Sequence, residues 1–297
     1  KDLYLLYEIR YSDGQAHAGY GTAGMLAPQL KSAIPEIKYA SDVAWLKDTP
    51  DQLDFEAADK KLKFDACYAD SDFFKMMSYP LIEGNATNAL SSPLAICISE
   101  KMAIAFFGSA EAAYGKTIRL ENKKDLKVSG VFSNLPDNVS AKFDCLINWP
   151  TFLAENSWAR DWGNSGHNAL IMLRKGSDPP LVAKKIRHFL DAYTKPSEQY
   201  RRELGMQRFG DSYLHGEFKN GKISGGRIEY VRLFSIIAIF ILVIACINFM
   251  NLSTARSIKR SKEIGIRKVA GAKRFGLISQ FLIEALTVTS LAILSAL

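Results

Sequence analysis

LFSIIAIFILVIACINFMNLSTA, residues 233–255, runs for 23 residues without a charged side chain. A helix needs about 20 such residues to cross a hydrocarbon layer of about 30 Å. A secretory leader has a shorter apolar core and sits at the N-terminus. A buried helix of a soluble protein seldom runs this far without a charge. The stretch therefore predicts a membrane-spanning helix, and the rest of the chain is read outward from it. On its C-terminal side, residues 256–274 carry Arg256, Lys259, Arg260, Lys262, Arg267, Lys268, Lys273 and Arg274 against one acid, Glu263. That segment alone carries +7, equal to the whole formal net charge of the chain. Basic residues directly after a span mark the cytoplasmic side. Residues 1–228 are accordingly expected on the opposite face, in the periplasm of a bacterial inner membrane. A charge this local does not suit a nucleic-acid surface spread over a fold, and no nucleic-acid partner is expected.

A second apolar run, FGLISQFLIEALTVTSLAILSAL (275–297), has Gln280 and Glu284 in its first half. It predicts a second span, truncated or just complete. The chain opens on Lys1 rather than Met. An excerpt from a longer, multi-pass membrane protein is expected, with an earlier span carrying residue 1 across.

Upstream, 297 residues with 48% hydrophobic content leave ample material for a core. Strand signals fall at 2–11, 37–46, 61–69, 94–98, 116–121, 125–133 and 168–174, with period-2 alternation clearest at 116–121 and 125–133. Residues 22–34 read as a short helix closed before Pro35. Ser99 reads as the cap of a helix through Phe107 that Gly108 stops. Asp178-Pro179-Pro180 opens a helix to about Tyr193. Residues 195–230 read as a polar, Gly-rich return to the membrane. Strands and helices mix without strict βαβ alternation, so an α+β class is expected. The domain reading is an outer domain over 1–228 and a membrane part over 229–297.

No catalytic set emerges. Gly19, Gly21 and Gly24 fit GxGxxG by letters, with Asp42 about 20 residues on. That fingerprint needs its first Gly at the end of a buried strand, and seven residues intervene here; a strand–helix connection is the better reading. No GxxxxGK[ST] occurs. His17, His167, His188 and His215 are scattered, and no HExxH is present, so neither metal nor cofactor is expected. Gly163 to His167 (GNSGH) lacks the GxSxG of a nucleophile elbow and reads as a turn. Asp70 and Asp72 would need a partner carboxylate that the sequence does not place. Cys67, Cys97 and Cys145 stand singly, which fits buried small hydrophobes; Cys246 lies in the span.

On a helical wheel, Arg256, Arg260, Arg267 and Arg274 gather on one side of 256–274, opposite Ile258, Ile266, Val269 and Ala272. Gly265 and Gly271 interrupt the segment. Physics alone allows an anchor on anionic lipid headgroups or a docking helix for a cytoplasmic partner. About 19 patterned residues exceed what two neighbouring spans require. Asn248 and Asn251 lie near the cytoplasmic end of the span. They suit either a bond across helices or a place at headgroup level. Glu284 is expected near the interface or facing another helix, since a carboxylate toward lipid is costly.

CINFMNLSTARSIKRSKEIGIRKVAGAKRFGLISQFLIEAL (246–286) resembles the signature region of FtsX-like permeases of ABC transporters, of the MacB type. YADSDFFKMMSYPLIEGN (68–85), ISEKMAIAFFG (98–108), YGKTIRLE (114–121) and VSGVFSNLPDNVSAKFD (128–144) resemble the MacB-like periplasmic core domain. The resemblance implies an outer domain of two α+β lobes and a permease dimer. It also implies a separate or fused ABC ATPase, whose work is passed to the outer domain through 256–274 and the spans. Under it, Arg256, Arg260, Glu263, Gly265, Arg267, Lys268 and Arg274 form the ATPase-coupling segment. The chain itself would not be an enzyme, and a periplasmic or outer-membrane partner would complete the assembly. A signalling protein whose outer domain binds a cell-envelope partner is the competing expectation.

Overall fold

A computed structural model of the chain describes residues 2–45, 52–197, 200–259, 261–271 and 273–296. In chain order the elements are β1 (Leu3–Ser12), β2 (Gln15–Gly19), α1 (Leu26–Ala33), β3 (Ile37–Trp45), β4 (Leu53–Ala57), β5 (Lys60–Phe64), β6 (Ala66–Ala69), α2 (Phe73–Met76), β7 (Leu81–Glu83) and β8 (Ala95–Ser99). Then come α3 (Glu100–Phe107), α4 (Ala110–Ala113), β9 (Thr117–Leu120), β10 (Lys124–Phe132), β11 (Cys145–Asn148), α5 (Trp149–Glu155), β12 (Asn168–Leu173) and α6 (Pro179–Ile186). The chain continues through β13 (Tyr200–Arg208), α7 (Phe209–Ser212), β14 (Phe218–Lys219), β15 (Lys222–Ile223), α8 (Arg227–Lys259), α9 (Ser261–Val269) and α10 (Arg274–Ala296). Two compact units result, Lys1–Ile228 and Glu229–Leu297.

Among the described residues, the first unit is built on one mixed sheet of 13 strands, ordered β13-β1-β12-β3-β6-β11-β8-β10-β9-β4-β5, with β2 on β1 and β7 on β10. Only β8–β10 and β6–β11 run parallel. This is the α+β class expected from the unpatterned mixture of elements. Near the middle of the sheet, Val43, Ala44 and Trp45 of β3 pair with Ala69, Tyr68 and Cys67 of β6. One core cluster packs Phe55, Ile98, Met102 and Trp149 around α3 and α5. A second gathers Phe73, Met76, Cys97 and Phe132 under α2. A third sets Leu6, Leu30, Ile171 and Val182 beneath α1 and α6.

Local chemistry sets several boundaries as the sequence suggests. The Ser99 hydroxyl accepts the Met102 N–H at 3.2 Å, and Gly108, at φ 88°, ends α3 in the left-handed cap that glycine favours. Three expectations change. The helix expected from Asp178 to about Tyr193 ends at Ile186, and a separate 3-10 turn follows at Phe189–Ala192. The strand expected over 61–69 is two strands, β5 and β6, with Asp65 between them. The return segment 195–230 contains β13, which pairs with β1 from Tyr4 to Ser12. Its sequence, YRRELGMQR, hides a strand because three of its four buried residues, Arg202, Glu203 and Gln207, are polar and only Leu204 is apolar. The Arg202 guanidinium donates to both Glu8 oxygens, at 2.6 and 2.5 Å, and its third nitrogen bonds the Trp162 carbonyl. Hydrophobic alternation cannot register buried residues of that kind.

Candidate coupling segment and the polar sites of the outer unit

Two helices of the second unit are long and apolar enough to cross a membrane, over Arg227–Ala255 and Phe275–Ser295. Their hydroxyls fold back onto their own helices. Ser235 donates to Val231 O at 2.7 Å, Thr254 to Met250 O at 2.8 Å and Thr287 to Ile283 O at 2.6 Å. Such bonds keep polar atoms satisfied where no water is available. Asn248 and Asn251 lie on one side of α8, three residues apart.

The basic segment is not one helix. After α9 the chain turns at Ala270 and Gly271, where the Ala270 N–H reaches Ile266 O at 2.9 Å and Gly271 stands at φ 90°. Arg274 then opens α10. The single wheel that grouped Arg256, Arg260, Arg267 and Arg274 is therefore not realised, because Arg267 and Arg274 belong to different helices. Gly271 interrupts the segment as expected. Gly265 does not, since it lies inside α9. Arg260, and the side chains of Arg256, Glu263 and Arg274, lie outside the described residues.

What the structure does bring together is Arg267 and Gln280. An Arg267 Nη donates to Gln280 Oε1 at 3.0 Å, which ties α9 to α10. Glu284 follows Gln280 by four residues and shares its helix face. The i,i+4 spacing of the two polar residues in an apolar run was the available sequence signal; the Arg267 partner of Gln280 on α9 was not legible. Lys268 is exposed, as are Ile266 and Val269, the latter 91% open. A Cβ built on Gly265 would meet nothing within 4 Å. The segment thus offers apolar side chains, a cation and an unobstructed glycine on one short helix.

In the outer unit the two glycine motifs meet each other. The Thr22 N–H and hydroxyl both donate to His167 O, at 2.6 and 3.0 Å, and the Gly166 N–H returns to Thr22 O at 3.2 Å. A Cβ on Gly24 would stand 2.8 Å from Ala159 O and 3.0 Å from the His167 ring. The glycines permit this close packing, and the stretch is a connection between β2 and α1. His167 is buried among Trp149, Phe152 and Trp158, with ring centroids 4.9–5.1 Å away. Its Nε2 has no hydrogen-bond partner, and burial lowers its pKa to about 4.

The carboxylate that the sequence could not place beside Asp70 and Asp72 is Asp42. Its N–H donates to Asp70 Oδ2 at 2.9 Å, and its own carboxylate accepts the Ala27 N–H at the start of α1. Burial, reinforced by Asp70, raises the Asp42 pKa well above the usual range, and burial pushes Asp70 up to about 7. Burial also works against Asp72, but Lys31 and Lys75 outweigh it and hold that pKa low. Asp42 is fully buried, so the cluster fastens α1 and α2 to the sheet and presents no open acid pair to a substrate. Cys67, Cys97 and Cys145 are buried free thiols, and burial pushes Cys97 up to about 12. Among the described residues, no group of three His, Cys, Asp or Glu is arranged to hold a metal.

Residues 6–189 match the family described as MacB-like periplasmic core domain, and residues 235–297 match that described as FtsX-like permease C-terminal. The macrolide export ATP-binding/permease protein MacB of Pasteurella multocida is 24% identical over 275 residues, which cover 89% of this chain and 37% of that protein. Its namesake from Burkholderia thailandensis is 43% identical over 101 residues, 31% of this chain and 14% of that protein. The chain spans well under half the length of these curated relatives. A solved domain from a Porphyromonas gingivalis protein described as a permease superposes with a TM-score of 0.58 at 21% identity, covering 70% of this chain and 90% of that one. That likeness concerns the fold alone.

Proposed function

The chain belongs to the family of MacB-like periplasmic core domains and carries an FtsX-like permease segment at its C-terminal end; from this we propose that it passes the work of an ABC ATPase, separate or fused, to the outer unit. Residues 1–228 stand in the periplasm, α8 and α10 cross the inner membrane, and α9 meets the ATPase. The permease works as a dimer, and the moving outer unit acts on an envelope substrate or on a periplasmic or outer-membrane partner. The named relatives export macrolides; efflux, lipoprotein handling and peptide export all fit the same mechanics here. Nucleotide chemistry is left to the ATPase, and this chain supplies the lever.

The observation that carries the reading is α9. A purely electrostatic anchor needs summed positive charge near anionic lipid. It does not need exposed Ile266 and Val269 beside a glycine with open space around it. A docking helix uses all three. Gly265→Leu keeps the charge and collides with nothing in this chain, so its effect reports what approaches from outside. The test measures membrane insertion, ATPase co-purification and ATP-dependent activity of the full-length protein. Docking requires normal insertion with lost association. Normal insertion, association and activity together would reduce the segment to an anchor.

A further inference from the structure

The route by which α8 could act on the outer sheet lies within the first unit. The first residues of α8 are held there: the Ile228 N–H bonds Leu214 O at 3.1 Å, and the Arg227 guanidinium lies 4.4 Å over the Tyr213 ring. Only Ser224, Gly225 and Gly226 separate them from the β14–β15 hairpin. The hairpin is gripped at both ends. At its base, the Phe218 ring lies 5.3 Å from Tyr7 and 5.0 Å from Tyr20. At its tip, Asn220 and Gly221 adopt positive φ, and a Cβ on Gly221 would come within 2.9 Å of Ala16 and 3.0 Å of Ile9. Tyr7 in turn lies across Gly205 of β13, where a Cβ would fall 2.1 Å from its ring. Tyr20 donates to Gln207 Oε1 at 2.5 Å, and Gln207 Nε2 donates to His215 O at 2.8 Å. These contacts converge on β1, which pairs with β2, β12 and β13.

Clefts flank the hairpin. One of about 380 Å³ lies between it and residues 14–18, and one of about 340 Å³ lies among Tyr20, Ser212, Tyr213, Glu217 and Arg227. The Phe218 ring contacts and the close approach of Gly221 hold the hairpin, while the larger cleft, which Phe218, Asn220 and Gly221 also line, leaves room for a small rotation. A rigid element between two gaps, tied to a spanning helix by three residues, is suited to move as a body.

We infer that the β14–β15 hairpin is the joint through which α8 drives the outer sheet, with Phe218 as the positioning residue that wedges it against Tyr7 of β1 and Tyr20. This inference rests on the coupling reading above. Without the Phe218 ring, α8 and the hairpin would still move, but β1 would no longer follow.

The test uses the full-length protein with its ATPase in proteoliposomes, in a Cys246→Ser background. A fluorophore is placed on Lys219→Cys at the hairpin or on Lys61→Cys in the distant edge strand β5. In otherwise unaltered protein, both positions change signal when ATP and vanadate trap the ATPase. In Phe218→Ala the hairpin signal persists and the β5 signal is lost; Phe218→Tyr, which keeps the ring, restores it. A β5 signal that survives Phe218→Ala overturns the joint. Loss at both positions also overturns it, since Phe218 would then only hold the domain together. Silence at both positions before Phe218 is changed overturns the coupling reading and the joint with it, and that pattern is distinct from a loss confined to the variants.

Discussion

His167 poses a contest between two physical effects, and its titration decides which wins. Burial among Trp149, Phe152 and Trp158 disfavours the imidazolium, and Nε2 has no acceptor to share its proton. Aromatic faces, however, attract cations by up to about 2 kcal/mol when desolvated. The planes of Trp149 and Phe152 cross the His167 ring at 76° and 79°, and that of Trp158 at 30°. Desolvation outweighs the ring contacts, and the pKa falls to about 4 from the ordinary 6.5. A base whose folded pKa is depressed contributes stability that is fully present above pH 6.5 and is lost as the pH falls toward 4. The linkage relation gives a loss of about 2 kcal/mol between pH 7.5 and pH 5 from this group. The assay is an NMR titration of the His167 ring in residues 1–228 expressed alone, with His17, His188 and His215 as internal comparisons. Urea unfolding followed by tryptophan fluorescence accompanies it. His167→Phe should leave stability at pH 7.5 nearly unchanged and remove most of the acid loss. A His167 that titrates at or above 6.5 would refute the reasoning and show the aromatic attraction to be the stronger effect.

The remaining predictions address other parts of the chain. Asp70 carries the opposite sign: its raised pKa gives stability present below about pH 4 and lost as the pH rises through about 7, so Asp70→Asn should raise the urea midpoint at pH 8 and flatten its decline from pH 6. Arg202→Met leaves Glu8 buried with a single weaker partner, Arg10; a loss of about 3–5 kcal/mol in the same unfolding assay is expected, and Glu8→Leu added to it should recover part. A water-soluble maleimide should leave Cys67, Cys97 and Cys145 unlabelled until denaturant is added, since all three are buried; rapid labelling of the folded protein would contradict this packing. In intact cells, a cysteine placed at Asn122 should label from outside and one at Lys262 should not; the reverse pattern overturns the topology.

How much the sequence disclosed follows the kind of interaction involved. The two long apolar helices were legible because lipid imposes a one-dimensional rule, a run of about 20 apolar residues, that needs no partner. α3 was legible because its boundaries are local: Ser99 caps it and Gly108 ends it. β13 was not, because Arg202 and Glu203 fill two of its four buried positions, and their burial depends on Glu8, Tyr11 and Arg187 elsewhere in the chain. Asp42 fitted a dinucleotide fingerprint by spacing alone, a reading the sequence itself disfavoured, but nothing in the sequence pointed to its actual neighbour, Asp70, 28 residues away. GYGTAG and GNSGH were each read alone. Their glycines have meaning only against each other, since what Gly24 makes room for is Ala159 and His167.

The same distinction bears on the coupling segment, where the structure divides work that the wheel had lumped together. Helical projection assumes one axis, and the turn at Gly271 breaks it, so the arginines of 256–274 do not form a common stripe. Arg267 bonds Gln280 on α10, and a guanidinium committed in this way sets the position of α9 relative to the second span. Arg267→Lys should therefore act through geometry inside the chain: a lysine cannot reproduce the planar donor set, and α9 would be presented at the wrong angle even with every outward residue intact. Gln280→Leu should reproduce that defect from the other side of the bond, and the double variant should be no worse than either alone, as expected for two residues that act through one interaction. Gly265→Leu, by contrast, has no internal contact to lose, and its effect should add to theirs. Measured as ATPase association and ATP-dependent activity, additivity between Gly265→Leu and the Arg267–Gln280 pair, with non-additivity within the pair, is the expected pattern. Full additivity of Arg267→Lys with Gln280→Leu would place Arg267 in direct contact with the ATPase and leave Gln280 with a separate role.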